Sequence, residues 1–157
     1  MTASRGRRNP EGSIRVLDPF RDLEEVVELI GLAFGDRLDP AGRATLERMR
    51  RFAQNGPLMR WLWAFLGKAV SAPGLVWVVD GEIVGNVSLR RSRDGGGYLI
   101  GNVVVHPEHR EQGIGGALMR RAIQVASRRG VPWVGLEVRA DNEVARKVVR
   151  YDHLLDL

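Results

Sequence analysis

Cysteine is missing from the chain altogether, so disulfides, thiolate metal sites and cysteine nucleophiles are excluded, and a reducing, cytoplasmic setting fits. Lysine is nearly absent: Lys68 and Lys147 are the only ones, and the positive charge is almost all arginine. Histidine is confined to His106, His109 and His153. The first two flank Pro107-Glu108 in a turn, and no pair has metal-ligand spacing, so no metal is expected. No Ser-His-Asp arrangement follows from spacing. No apolar run approaches the roughly 20 residues of a membrane span. The start, Met1 to Gly12, is polar and arginine-bearing and lacks the apolar core of a leader peptide.

What remains is a chain of 157 residues with a formal net charge of +5. That length suits one domain burying about 68–70% of its unfolded surface. The arginines cluster in 43–51, 90–93, 120–129 and 139–150. None is interleaved with aromatics as a base-stacking platform would be. They read as solvated helix faces with a basic mouth for an anionic cofactor, and nucleic acid is not expected. Met1 to Ser13 reads as a disordered basic tail, and 14–157 as a single domain.

Ile14 to Leu17 reads as a short strand. Asp18 or Asp22 can cap a helix from about Leu23 to Phe34, with Leu23, Val26, Val27, Ile30 and Phe34 on one face. A second helix runs from about Ala41 to Gln54 and stops at Asn55-Gly56-Pro57. Leu58 to Val70 is rich in Trp, Leu and Phe; it is read as a buried helix or lid, a wall of an acceptor pocket, or a homodimer contact. Strands Leu75 to Val79 and Ile83 to Arg91 are joined by Asp80-Gly81, a strong hairpin signal. A strand from Tyr98 to Val105, a helix from Ile114 to Arg129 ended by Gly130, a strand from Val134 to Val138 and a helix from Asn142 to about Tyr151 follow.

The stretch from Asn102 to Met119 carries the chemistry. Three successive valines favour a buried strand, and Pro107 ends its pairing. Arg110-x-x-Gly113-x-Gly115 then opens a helix. Its glycines admit another group close to the backbone, and a helix start offers unpaired N–H groups and partial positive charge. This is a site for phosphate, with Arg110 as a further cation. It is neither the Gly-x-Gly-x-x-Gly dinucleotide turn nor a Gly-Lys-Ser/Thr P-loop.

Val105-x-Pro107-x-x-Arg110-x-x-Gly113-Ile114-Gly115 resembles the acetyl-CoA-binding motif of the GNAT superfamily of N-acetyltransferases. Leu136-Glu137-Val138-Arg139-x-Asp141-Asn142-x-x-Ala145 is similar to that family's next strand and helix, and its Leu-Glu-Val-Arg to the subgroup acetylating protein N-termini. The resemblance covers roughly Leu75 to Val148. It implies an α/β (α+β) fold with a mixed, mostly antiparallel central sheet flanked by helices, and acetyl-CoA as co-substrate. The cofactor contacts it implies are Val103, Val104, Val105, Arg110, Glu111, Gln112, Gly113, Ile114, Gly115, Gly116 and Asn142. Glu137 becomes the candidate general base for a primary amine; its other reading is an ion pair with Arg139. Asn142 (or Asp141) also reads as an N-cap. Transfer from another acyl-CoA, and an acyl-CoA-binding module with weak or no catalysis, stay open. The amine acceptor itself is not given.

Two departures from the family pattern stand out. The tyrosine expected to protonate the leaving thiolate is replaced by Val149. Tyr151, the nearest tyrosine and the candidate for that role, is turned away by ~200° on a regular helix; Tyr98 or water are alternatives. The family's C-terminal strands are missing from this reading, leaving 134–138 as a sheet edge to be covered.

Overall fold

Asp80 and Gly81 turn the chain with both residues at positive φ, 50° and 91°, a geometry that a short polar side chain and a glycine accept. They join β2 (Leu75–Val79) to β3 (Glu82–Arg91). The computed structural model in which this is seen describes residues 11–35, 38, 40–54, 74–93 and 95–137. β1 (Ser13–Val16) pairs antiparallel with β2, and β4 (Gly97–Val105) antiparallel with β3. β5 (Trp133–Leu136) lies parallel to β4. Among the described residues the sheet is five-stranded in chain order, the mixed, mostly antiparallel sheet read from the sequence. β1 opens at Ser13, inside the stretch read as a tail, and the Trp77 indole N–H donates to the Glu11 carbonyl at 2.9 Å. The segment 58–70 and the last helix lie outside the described residues.

Both faces of the sheet are covered by helices because its strands carry apolar side chains on both sides. α1 (Leu23–Phe34) has the bounds its periodicity predicts and buries Val26, Leu29 and Ile30 against Leu17, Val76, Ile83 and Val104. α2 (Pro40–Gln54) adds Leu46 and Met49 to that layer. On the opposite face α3 (Ile114–Ser127) buries Ile114, Leu118 and Ala122 against Trp77, Val87, Tyr98 and Ile100. Burial of side chains such as Ile114 and Leu118 is worth about 1.5–3 kcal/mol each. α3 lies close because Gly85 has no side chain: a Cβ there would meet Leu118 Cδ1 at 2.9 Å and Ile114 Cγ2 at 3.1 Å.

Asp22 precedes α1 but does not cap it through its side chain. Its carboxylate is buried and accepts from both terminal nitrogens of Arg15, at 2.8 Å from Nη2, and from the Asp18 N–H at 2.7 Å. Burial pushes the carboxyl pKa up, but the Arg15 and Asp18 hydrogen bonds outweigh it and hold it below the ordinary carboxylate value. A depressed carboxyl stabilises the fold above its unfolded pKa, and that contribution fades as pH falls through the folded value. Asp22→Asn is therefore expected to cost about 1–3 kcal/mol at neutral pH. Urea titrations at successively lower pH check this: the gap between parent and variant should close in acid.

Gly97 faces Trp133 directly across β4 and β5. A Cβ at Gly97 would lie 2.4 Å from the indole ring, so Gly97→Ala should push the ring aside and destabilise by about 1–3 kcal/mol. Chemical denaturation reads this, with Trp133 fluorescence reporting the displaced ring.

Candidate active site

The valine strand is not regular. Gly85 pairs with Val105 and Asn86 with Val104, but Ser88 pairs with Gly101. Asn102 and Val103 therefore share a place opposite Val87, which makes a β-bulge. Asn102 sits at φ 49°, where asparagine is better tolerated than most residues. Its carbonyl accepts from buried Asn86 Nδ2 at 3.2 Å, and its own Nδ2 reaches Ser88 Oγ at 3.4 Å. With that carbonyl turned toward β3, the planar trans peptide aims the Val103 N–H the other way.

On that other side the sheet opens. β5 follows β4 only from Gly97↔Trp133 to Ile100↔Leu136, and the Glu137 N–H closes the ladder on the Ile100 carbonyl at 2.8 Å. Among the described residues, 101–105 have β3 along one edge and no strand along the other. Val104 is buried under α1 while Val103 and Val105 pack partly against the α3 layer, so what this strand offers along its open edge is main chain.

Beyond β4 the chain makes a short 3-10 turn, Pro107–His109, in which the Glu108 N–H donates to His106 Nδ1 at 3.3 Å. The His109 ring lies edge-on to His106 with centroids 5.8 Å apart. No group of three metal-ligating side chains occurs among the described residues. Glu111 and Gly113 then take positive φ, 63° and 87°, curling successive amides into a concavity of the kind that binds anions. The first helical bond of α3 runs from the Ala117 N–H to the Gly113 carbonyl, and no side chain caps the helix. Among the described residues, no amide from Glu111 to Gly116 has an acceptor.

Packing does not require these glycines. A Cβ at Gly113 would meet nothing within 4 Å, at Gly115 only Val105 Cγ2 at 3.6 Å, and at Gly116 the flexible end of Arg120 at 3.3 Å. Arg110 is exposed at the same end, its Nε donating to the Val105 carbonyl at 3.2 Å. The loop is thus a row of bare donors at the positive end of a helix, with a cation at its edge, matched to a diphosphate.

Glu137 stands where β5 leaves β4. Its Cβ and Oε2 lie 3.6 Å from where a Cβ of Gly101 would be, so its carboxylate rests over bare backbone. Its ion-pair partner is Arg90 of β3, 47 residues away: Nε donates to Oε2 at 3.1 Å and Nη2 to Oε1. The pairing with Arg139 considered from sequence has its partner outside the described residues. Strand alternation and register place Asn86, Ser88 and Arg90 on one face with Gly101 and Glu137.

Tyr98 belongs to the opposite face. It is buried beside Ile100, with its hydroxyl accepting from Arg129 at 2.9 Å and the guanidinium 5.5 Å from the ring centroid. Alternation along β4 thus removes Tyr98 from the neighbourhood of Glu137. Asn142 and Tyr151 lie outside the described residues. The structure places Val103 to Gly116 along the last part of β4 and beyond it, and Glu137 over Gly101 at the middle of that strand; it adds Arg90 and Asn86 on β3 and Asn102 on β4 itself. Asparagines in two strand-forming runs were the available signal for the last pair.

Residues 43–151 match the family model described as acetyltransferase (GNAT) family. Solved structures share the fold. The paia N-acetyltransferase from Thermoplasma acidophilum, in complex with coenzyme A, has TM-score 0.63 at 17% identity, over 89% of this chain and 87% of that one. The ribosomal-protein-S18-alanine N-acetyltransferase from Escherichia coli has TM-score 0.62 at 22% identity, over 91% and 76%. The diaminobutyrate acetyltransferase EctA from Paenibacillus lautus, in complex with L-2,4-diaminobutyric acid and coenzyme A, has TM-score 0.61 at 22% identity, over 92% and 76%.

Proposed function

Because the chain belongs to the acetyltransferase (GNAT) family, we propose that it transfers an acetyl group from acetyl-CoA to a primary amine. The observation that carries this is, among the described residues, the run of amides from Glu111 to Gly116 without acceptors, set against a strand whose outer edge is unpaired beyond Ile100. A diphosphate fits the first and an extended amide-bearing arm the second. Neighbours solved with coenzyme A support the same cofactor.

Bound acetyl-CoA would supply an activated thioester. The amides of 111–116 and Arg110 hold its diphosphate, and the main chain of Val103 to Val105 pairs with its arm. The Val103 N–H, fixed by the bulge and aimed at the open edge, donates where negative charge develops on the thioester oxygen. Donors in that role are worth about 10²–10³-fold in rate. Glu137 takes the proton from the acceptor ammonium. The amine lone pair then forms the C–N bond as the C–S bond breaks; the thiolate leaves with its electron pair and takes a proton from Tyr151 or water, and the surplus proton on the new amide nitrogen passes through water to restore that donor. Asn142 is assigned to cofactor contact. The lack of cysteine fits a reducing, cytoplasmic setting, and no helix among the described residues is long and apolar enough to cross a membrane.

Isothermal titration tests the cofactor: acetyl-CoA should give saturable heat, and silence at high micromolar acetyl-CoA removes the reading. Release of the CoA thiol with an amine panel then separates a transferase from an acyl-CoA-binding module. Acetyl-, propionyl- and longer acyl-CoA run in parallel identify the acyl group.

A further inference from the structure

The acceptor neighbours in the fold differ in kind, a ribosomal-protein alanine and a small diamino acid, so the fold does not decide between a peptide and a metabolite. The charges on the open sheet face do. Both oxygens of Glu137 are engaged by Arg90, and the two side chains are 55% and 49% exposed. Exposed pairs of this kind are weak and open readily. The guanidinium already occupies a lone pair on each Glu137 oxygen, so an ammonium brought to the same carboxylate competes with Arg90 for it. Among the described residues Arg90 has no other ion-pair partner.

An acceptor that is only cationic therefore leaves the guanidinium unpaired and facing a like charge. An acceptor that carries a carboxylate beside its amine replaces the lost partner. The order along the strands suits this. The bulge at Asn102 and Val103 comes first, then the row of Gly101 and Glu137, then the row of Leu99 and Arg90. Successive same-face rows lie about 7 Å apart, and the Arg90 side chain already spans that gap to reach Glu137. The floor between them is Gly101, which has no side chain to obstruct a small molecule. The formal net charge of +5 weighs in the same direction, against polycationic acceptors.

We infer that the acceptor is a free α-amino acid, its carboxylate held by Arg90 and its amine presented to Glu137; this rests on the acetyl-transfer reading above. The amine nitrogen forms the new C–N bond, its proton goes to Glu137, and the thiolate departs with the C–S electron pair. Arg90 forms no bond to the reacting atoms and acts in acceptor choice.

The test uses the full chain, acetyl-CoA and matched acceptor triplets: an amino acid, its C-terminal amide as a mimic of a peptide N-terminus, and the amine left by decarboxylation. Triplets with small, apolar and acidic side chains are assayed by thiol release and by the mass of the acetylated product. The acid is expected to exceed amide and amine in kcat/KM by about tenfold or more, mostly through KM. Arg90→Gln should collapse that ratio, and Arg90→Lys should restore part of it, since a single ammonium lacks the guanidinium fork. Amide or amine turned over as well as the acid, or a preference that survives Arg90→Gln, overturns the assignment. So does acetylation of none of the triplets. If acetyl-CoA still binds in that last case, only the acceptor class fails; if it does not bind, the acetyl-transfer reading fails with it.

Discussion

Glu137→Gln is expected to lower acetyl transfer by about 10²–10⁴-fold, the range for loss of a general base, while acetyl-CoA affinity stays as it was. The substitution keeps the shape of the side chain and removes only its capacity to take a proton. Glu137 lies over Gly101 and pairs with Arg90, and among the described residues it has no bond to the amides of 111–116, so cofactor binding has no reason to move. Stability moves little as well, because the pair with Arg90 is more than half exposed on one side and nearly so on the other, and exposed pairs contribute about 0–1 kcal/mol. Three measurements on one variant therefore separate the roles: thiol release for turnover, isothermal titration for cofactor, and urea unfolding for the fold. Turnover equal to the parent would remove Glu137 from proton transfer and leave it as the surface partner of Arg90.

That partner shows where sequence reading stops. A pair between Glu137 and Arg139 is a local expectation, since residues two apart on a strand share a face, and Arg139 lies outside the described residues. Arg90 is a partner of another kind, adjacent to Glu137 only because β3 and β5 flank β4. Strand order is a tertiary fact, and no local period encodes it. The bulge was hidden for a related reason. Val103-Val104-Val105 reads as uninterrupted strand, and the extra residue appears only when β4 is set against β3. What was legible is local in its physics. The bounds of α1 follow from an apolar stripe at helical spacing. The β2–β3 turn follows from Asp80-Gly81 accepting positive φ. The start of α3 follows from glycines after Pro107. The turn of Glu111 and Gly113 into α3 could be read because one short segment contains all of it. The surroundings of Glu137 could not, because three strands build them.

Gly115→Ala is expected to move stability and cofactor affinity in opposite directions, a combination that packing alone does not produce. In the protein without cofactor, a Cβ at Gly115 meets only Val105 Cγ2 at an ordinary 3.6 Å. The residue lies in the first turn of α3, where alanine in place of glycine favours the helix by up to about 1 kcal/mol. The unliganded variant should therefore be at least as stable as the parent in urea. A helical Cβ leans toward the N-terminal end of its helix, the end where the amides from Glu111 to Gly116 have no acceptor among the described residues. A diphosphate pressed against that backbone loses one or two charge-assisted hydrogen bonds, worth about 1.5–3 kcal/mol each, which weakens acetyl-CoA binding by about tenfold to hundredfold or more. A glycine kept for the fold would give the reverse: lower stability, with affinity following only as the folded fraction falls. Equal affinity in a fully folded Gly115→Ala protein would mean that nothing approaches this backbone, and the diphosphate would have to be sought elsewhere.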